Sequence, residues 1–284
     1  MMGIGARVAI AFAVAMVLSA CASTTDRAAS PAVSPVLSPA QIAEIVASPD
    51  RSEADRVNDR RRKPEQMLAF IGIRPGMVAL DVSAGGGYTT ELLARATGPA
   101  GRVYGQSAPR RATPSTAEPE GAATPLAAST PAAGATRPLP VALTARAQKP
   151  AAANLVAVVQ PFESPAPPEL AAGGFDLVTL MFNYHDLGHL GVDRAQMNRA
   201  VYAALKPGAM FVIADHSGRP GTGISESGTL HRIEESFLRA EVERAGFRLA
   251  ASADFMRNPA DPRDRNTPEP PQPKDEFVLK FVKP

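Results

Sequence analysis

Apolar and polar positions follow two rhythms along this chain, and each change of rhythm marks the edge of an element. From residue 39 the apolar residues Ile42, Ile45 and Val46 recur at helical spacing, and the charged stretch over 50–63 beyond them reads as a solvated helix face rather than an anion site. Pro64 suits a first helical position, Met67, Leu68 and Ile71 share one side of the helix it opens, and Gly72 ends it. Residues 77–82 form a short apolar strand; after Gly85, Gly86 and Gly87 a helix begins near Tyr88, with Thr89 or Thr90 available to cap it. Strands are predicted at 102–106 and 154–159, and 175–182 is a continuous apolar run of the kind buried on both faces of a parallel sheet. Met197, Val201 and Ala204 share a helix face that stops at Lys206-Pro-Gly208, before a fifth strand at 210–214. Leu230, Ile233, Phe237 and Leu238 line a further helix, Gly246 ends it, and strands at 247–255 and 276–282 close the chain. Five strands alternating with helices predict an α/β doubly wound sheet, mostly parallel. The last two strands, joined without a helix, are predicted to lie antiparallel.

Composition shortens the folded part. The 28 prolines cluster over 30–39, 109–150 and 259–273. Residues 107–153 are dominated by Ala, Pro, Thr and Ser, with a sustained apolar run only over 139–143, and read as a disordered insertion. Net charge is +2 and no basic run exceeds Arg60-Arg-Arg-Lys63, so a nucleic-acid partner is not expected. At the start, Arg7, the apolar run 8–18 and Leu18-Ser-Ala-Cys21 have the layout of a targeting segment. This resembles a bacterial lipoprotein signal, in which Cys21, the only cysteine, carries the lipid. That implies a signal peptide over 1–21, a flexible tether over 22–39 and a domain over 40–284. It also implies an exported protein, anchored to the cell envelope at the periplasmic face by acyl chains that hold a membrane without spanning it.

The candidate chemistry centres on Leu80-Asp-Val-Ser-Ala-Gly-Gly-Gly87. A strand that runs into a glycine turn and then a helix brings bare backbone and a positive helix end to a polar ligand. A dinucleotide turn would need glycine at position 90, which is Thr90, and an acid after the second strand, which is missing.

The order of elements resembles the class I S-adenosylmethionine-dependent methyltransferases, which have a seven-stranded Rossmann-like sheet whose last strand inserts antiparallel. The stretch 80–87 stands where that family has an acidic residue followed by glycines; Phe175-Asp-Leu-Val, Ala203-Ala-Leu-Lys-Pro-Gly208 and Glu243-Arg-Ala-Gly-Phe247 fit its later words. Asn183-Tyr-His-Asp186, Ala214-Asp-His-Ser217, Leu230-His-Arg-Ile233, Arg257-Asn-Pro-Ala-Asp261 and residues 277–284 resemble a group of exported bacterial proteins predicted to be methyltransferases. The resemblance implies S-adenosylmethionine as cofactor, with Asp81, Gly85, Gly87, Tyr88, Gln106 and Asn183 as its contacts. Asp81 suits the ammonium of the methionine portion. Two positions depart from the pattern: Ser83 replaces a glycine, and Gln106 stands where an acid accepts both ribose hydroxyls, whereas an amide accepts one and donates one.

Ligands of open α/β sheets lie beyond the carboxyl ends of the strands. Tyr88, Asn183, Tyr184, His185, Asp186, Asp215, His216 and Ser217 are therefore expected to ring one mouth. Methyl transfer is mainly positioning, with a base needed only where the acceptor must lose a proton. Tyr184, His185 and His216 are the catalytic candidates, with an aspartate orienting an imidazole across strands. His189 lies four residues after His185, but Gly188 and Gly191 argue against a helix there, and no metal is expected. Three functions fit: a lipid-anchored methyltransferase acting on a small or envelope-associated acceptor, a non-catalytic envelope lipoprotein that keeps the fold as a binding module, and a purely structural envelope lipoprotein. An S-adenosylmethionine supply is not evident outside the inner membrane, which stands against the first, and Ser83 and Gln106 favour the second; the methyltransferase remains the leading expectation.

Overall fold

The computed structural model describes residues 34–109, 140–266 and 273–284, within one compact unit, Ser34–Pro284. The signal peptide, Cys21 and most of the expected tether lie outside the described residues. Helix α1 (Pro39–Ala47) opens on Ser38, whose side chain and that of Gln41 cap each other's backbone. Helix α2 (Glu53–Arg62) ends at Lys63 in the left-handed region, and α3 (Pro64–Ile71) starts at once with proline at its first turn. The chain continues through β1 (Val78–Val82), α4 (Tyr88–Thr97), β2 (Arg102–Ser107), α5 (Val141–Ala147), β3 (Leu155–Val159), β4 (Phe175–Met181), the single turn α6 (Asp186–His189), α7 (Arg194–Ala204), β5 (Leu205–His216), α8 (Glu235–Arg244), β6 (Arg248–Ala253) and β7 (Glu276–Val282).

The strands form one seven-stranded sheet in the order β3-β2-β1-β4-β5-β7-β6. Strand β7 lies antiparallel to both β5 and β6, and the other described pairings are parallel. Because side chains alternate along a strand, Leu80 and Val82 of β1 join one core with Met197, Val201, Leu238 and Val242, while Ala79 joins the other with Ile42, Leu68, Ile71 and Leu93. The doubly wound sheet with its antiparallel last strand is as expected.

Three expectations change. Strand β5 spans Leu205–His216 rather than 210–214, because the Lys-Pro-Gly turn is taken in as an irregularity between the Phe175 and Leu177 pairings of β4. The helix expected around Leu230 starts only at Glu235; Ile233 instead makes a bridge with Ser217. Part of the expected insertion is folded: α5 and the short 3-10 turn Pro150–Ala152 pack on the sheet, with Leu143 and Ala152 fully buried. Among the described residues no helix is long and apolar enough to cross a membrane.

Candidate active site at the strand ends

The glycine turn is shaped by the geometry at the end of β1. Ser83 adopts φ +58°, a conformation glycine takes freely, and its cost is offset locally. Its N–H donates to Gln106 Oε1 at 2.8 Å, and its hydroxyl meets Asn183 Oδ1 at 2.5 Å. The Gln106 amide also donates to the Gln160 carbonyl at 2.6 Å, and the residue is fully buried. Both ends of Gln106 are thus engaged in holding the turn to β3, which removes it from the mouth as a ribose contact. Gly85 remains open: a side-chain carbon there would meet only the Ser83 carbonyl, at 3.9 Å. Gly87 is covered by the chain itself. A carbon there would fall 2.7 Å from both Leu143 and Arg146, so glycine is required by the approach of α5.

Asp81 is buried beneath the turn. Its two carboxylate oxygens accept from Thr90 at 2.6 Å and Thr179 at 2.7 Å. Burial raises its pKa to about 6 against those two hydrogen bonds. Thr90 is therefore a partner of Asp81, and α4 has no side-chain cap.

Charged residues from α2, expected to be solvated, converge on this turn instead. Arg51 grips Asp59 with two bonds of 2.7 Å, and the Tyr88 hydroxyl donates to the same Asp59 at 2.6 Å. Arg146 grips Asp55 at 2.7 and 2.8 Å, donates to the Gly86 carbonyl at 2.5 Å and reaches Glu91, which also binds Arg95 and Lys149. Arg62 lies 4.5 Å from the Phe182 ring centre and 5.5 Å from that of Tyr88. Its Nε is buried without a hydrogen-bond partner, and burial, with Arg61 adding to it, lowers its pKa. Of these residues Arg62 lines a small apolar cleft, with Met67, Tyr88, Leu92, Met181 and Phe182.

The other side of the mouth is built from the ends of β4 and β5. His185 Nδ1 meets Asp215 Oδ1 at 2.5 Å and its backbone N–H donates to the other oxygen at 2.8 Å, the pairing across strands that was expected. Its Nε2 also lies 3.0 Å from the adjacent Asp186. Burial opposes a charge on His185, yet the hydrogen bonds to Asp186 and Asp215 outweigh it and raise the pKa to about 9. Asp186 is held down to about 2: burial pushes the other way, but His185 and His231 prevail. His216 is pushed down to about 3 by burial, and its Nδ1, though 2.9 Å from Glu276, is not aligned for a hydrogen bond. Neither histidine titrates near neutral pH, so neither is poised as a base there.

Tyr184 leaves the mouth altogether. It is fully buried in the core, donating to Glu241 at 2.9 Å and accepting from Asn198 at 2.8 Å. The sequence-based list thus keeps Asp81, Gly85, Tyr88, Asn183, His185 and His216 around the mouth. Asp59, Arg62, Thr90 and Thr179 were missed; only a buried strand threonine opposite Asp81 had any signal, and that required the β1–β4 register.

No family model matches the chain, and no curated relative matches it by sequence. Solved structures do match. A SAM-dependent methyltransferase from Aquifex aeolicus superposes with a TM-score of 0.53 at 16% identity, over 87% of this chain and 100% of its own. A chain from a complex of the Haloferax volcanii Trm112 methyltransferase activator with a methyltransferase gives 0.52 at 17% identity, over 86% and 97%. At these identities the likeness concerns the fold alone: the α/β sheet has the Rossmann-like layout of these two structures.

Proposed function

We propose that this protein is an S-adenosylmethionine-dependent methyltransferase, with the methionine end of the cofactor at the Gly85 edge and the acceptor over His185 and Asp186. The observation that carries this reading is the open backbone at Gly85 together with two groups of opposite charge that interact with each other, Asp81 and Arg62. Asp81 lies beneath the turn, and Arg62 holds a buried Nε without a partner. Both oxygens of Asp81 are held by Thr90 and Thr179, so its charge favours an ammonium above the turn through space, while a carboxylate suits the free Nε of Arg62. When bound, the cofactor supplies a methyl group on a positive sulfur for in-line displacement. The chain's part is to orient: Tyr88 is pinned by Asp59, Phe182 is held at φ +59° beside Arg62, and Asn183 links Ser83 to Asp186. With His185 protonated and His216 a weak base, the site suits an acceptor that brings its own lone pair.

The lipobox supports export, lipidation at Cys21 and a small or envelope-associated acceptor. Incorporation of labelled fatty acid that Cys21→Ala abolishes would support the anchor, and equal labelling of the variant would remove it. For the cofactor, calorimetric titration of S-adenosylmethionine and S-adenosylhomocysteine is the test. Arg62→Ala and Asp81→Ala should each weaken binding about 10-fold or more, as expected on losing a charge-assisted contact. Absence of binding at saturating cofactor would sink the reading. It would leave the binding-module alternative, which the engagement of Gln106 and the cover over Gly87 favour.

A further inference from the structure

All four histidines of this chain, His185, His189, His216 and His231, stand in one connected group. Neighbouring ring centres are 5.2 Å apart for His185 and His216, 5.7 Å for His185 and His231, and 5.6 Å for His189 and His231. One carboxylate oxygen sits among three of them. Asp186 Oδ1 lies 3.0 Å from His185 Nε2, 2.7 Å from His231 Nδ1 and 3.9 Å from His189 Nδ1.

We propose that His185 Nε2, Asp186 Oδ1 and His231 Nδ1 form a binding site for a first-row divalent transition cation of the zinc or iron(II) class. The three ligand atoms lie within 4.8 Å of one another. Ligands around a tetrahedral zinc, with bonds of about 2.0–2.2 Å, stand about 3.3–3.5 Å apart. A cation at the centre therefore asks Asp186 to withdraw from each ring nitrogen by less than about an ångström and the two nitrogens to stand at that same spacing, and it takes the place of the ring proton between His185 and Asp186. Two imidazoles and one carboxylate, with the remaining positions open to the mouth, are a donor set that suits these metals over calcium or magnesium.

The surroundings are those that orient metal ligands. Fully buried Asp215 takes the Nδ1 side of His185 and so directs Nε2 to the centre. Asn183 Nδ2 donates to the second oxygen of Asp186 at 2.8 Å, leaving Oδ1 for the cluster. His231 is held at φ +52°, a left-handed conformation that a histidine adopts only where surrounding contacts compensate. Ser227 donates to the His185 carbonyl at 2.5 Å and lies 3.0 Å from His189 Nδ1. Gly188 makes that approach possible, since a side-chain carbon there would meet Ser227 Oγ and Ile224 at 2.8 Å. By sequence His185 is weighed with His189, with which it shares a single helical turn; the proposed site instead joins His185 to His231, from a loop 46 positions beyond it.

Full-length protein in detergent, stripped with a chelator, is to be titrated with zinc against a chromophoric competitor, and with cobalt(II) for its visible spectrum. One equivalent of zinc per chain is expected, with intense cobalt bands of a four- or five-coordinate site. His231→Gln and Asp186→Asn should each weaken zinc at least 100-fold, and Asp215→Asn about 10–100-fold as a positioning residue. His189→Gln should bind as the wild type does. Circular dichroism and thermal unfolding identify a variant that has lost its fold, in which case His231→Ala replaces it. Less than a tenth of an equivalent in the folded wild type, zinc binding unchanged in His231→Gln, or a loss in His189→Gln alone would overturn the proposal. Calcium competing as well as zinc would also overturn it. None of these readouts involves S-adenosylmethionine, so failure of the methyltransferase reading leaves the metal result standing, and the reverse.

Discussion

The half of the mouth under the glycine turn and the half around the histidines differ in where their charges come from. Under the turn, Arg51, Asp55 and Asp59 arrive on or just before α2, and Arg146 arrives on α5. They pair with one another and with Tyr88 and Glu91 of α4, so that acids and bases are largely matched. Around the histidines, the charges come from the end of β5 and from the turn and loop that follow the strands, and they are shared: Asp186 alone is approached by three imidazoles. A matched set of pairs fastens helices over a sheet. An oversubscribed carboxylate instead draws three imidazoles to one point.

The largest effect should come from breaking the matched half. The Glu91 side chain is almost fully buried and is bound by Arg95, Arg146 and Lys149. Removing one partner of a buried ionic group costs about 3–5 kcal/mol. Glu91→Gln should lower unfolding stability by that order in urea, while leaving zinc affinity in the histidine half unchanged. Loss of zinc binding in a folded Glu91→Gln protein would show that the two halves are not independent.

A middle-sized effect concerns Asp81, whose folded-state pKa is raised by burial to about 6. The folded state therefore holds this proton more tightly than the unfolded chain, in which an aspartate titrates near its ordinary value of about 3.9. No penalty exists below that value; stability falls as pH rises through about 6, by up to about 3 kcal/mol in full. Asp81→Asn should flatten the decline between about pH 4 and 6 and be more stable than wild type at pH 7, yet weaker for S-adenosylmethionine. A wild-type stability profile that rises through this range, and rises equally in the variant, would contradict the burial argument.

The smallest effect tests where the mouth ends. Tyr184→Phe leaves Asn198 and Glu241 without their shared hydroxyl inside the core, at a cost of about 1–3 kcal/mol. Cofactor and zinc binding should be unaltered. A specific loss of either, with stability unchanged, would return Tyr184 to the site.

The residues that carry these effects were unequally legible. Asp81, Gly85 and His185 stand where a strand gives way to a turn or a helix, and there a change of rhythm in the sequence points to the mouth. Tyr184 stands at such a junction too, but one residue before His185, and its side chain turns into the core. Local order says that a residue is near the mouth, not which way it faces. Arg62 and Asp59 lie in a run whose alternating charge looks the same whether water or Tyr88 is its partner.

What the sequence determined by itself was the alternation of strands and helices, the antiparallel close of the sheet and the place of the glycine turn, since these arise from periodicity, glycine conformation and local chain geometry. What only the tertiary structure decided was pairing at long separation. The grip of α2 and α5 on the turn, the engagement of Gln106 with Gln160, and the meeting of His231 with Asp186 join segments 29 to 91 positions apart. No periodicity encodes such distances; they are set by which faces of the sheet its helices cover and where the strands end.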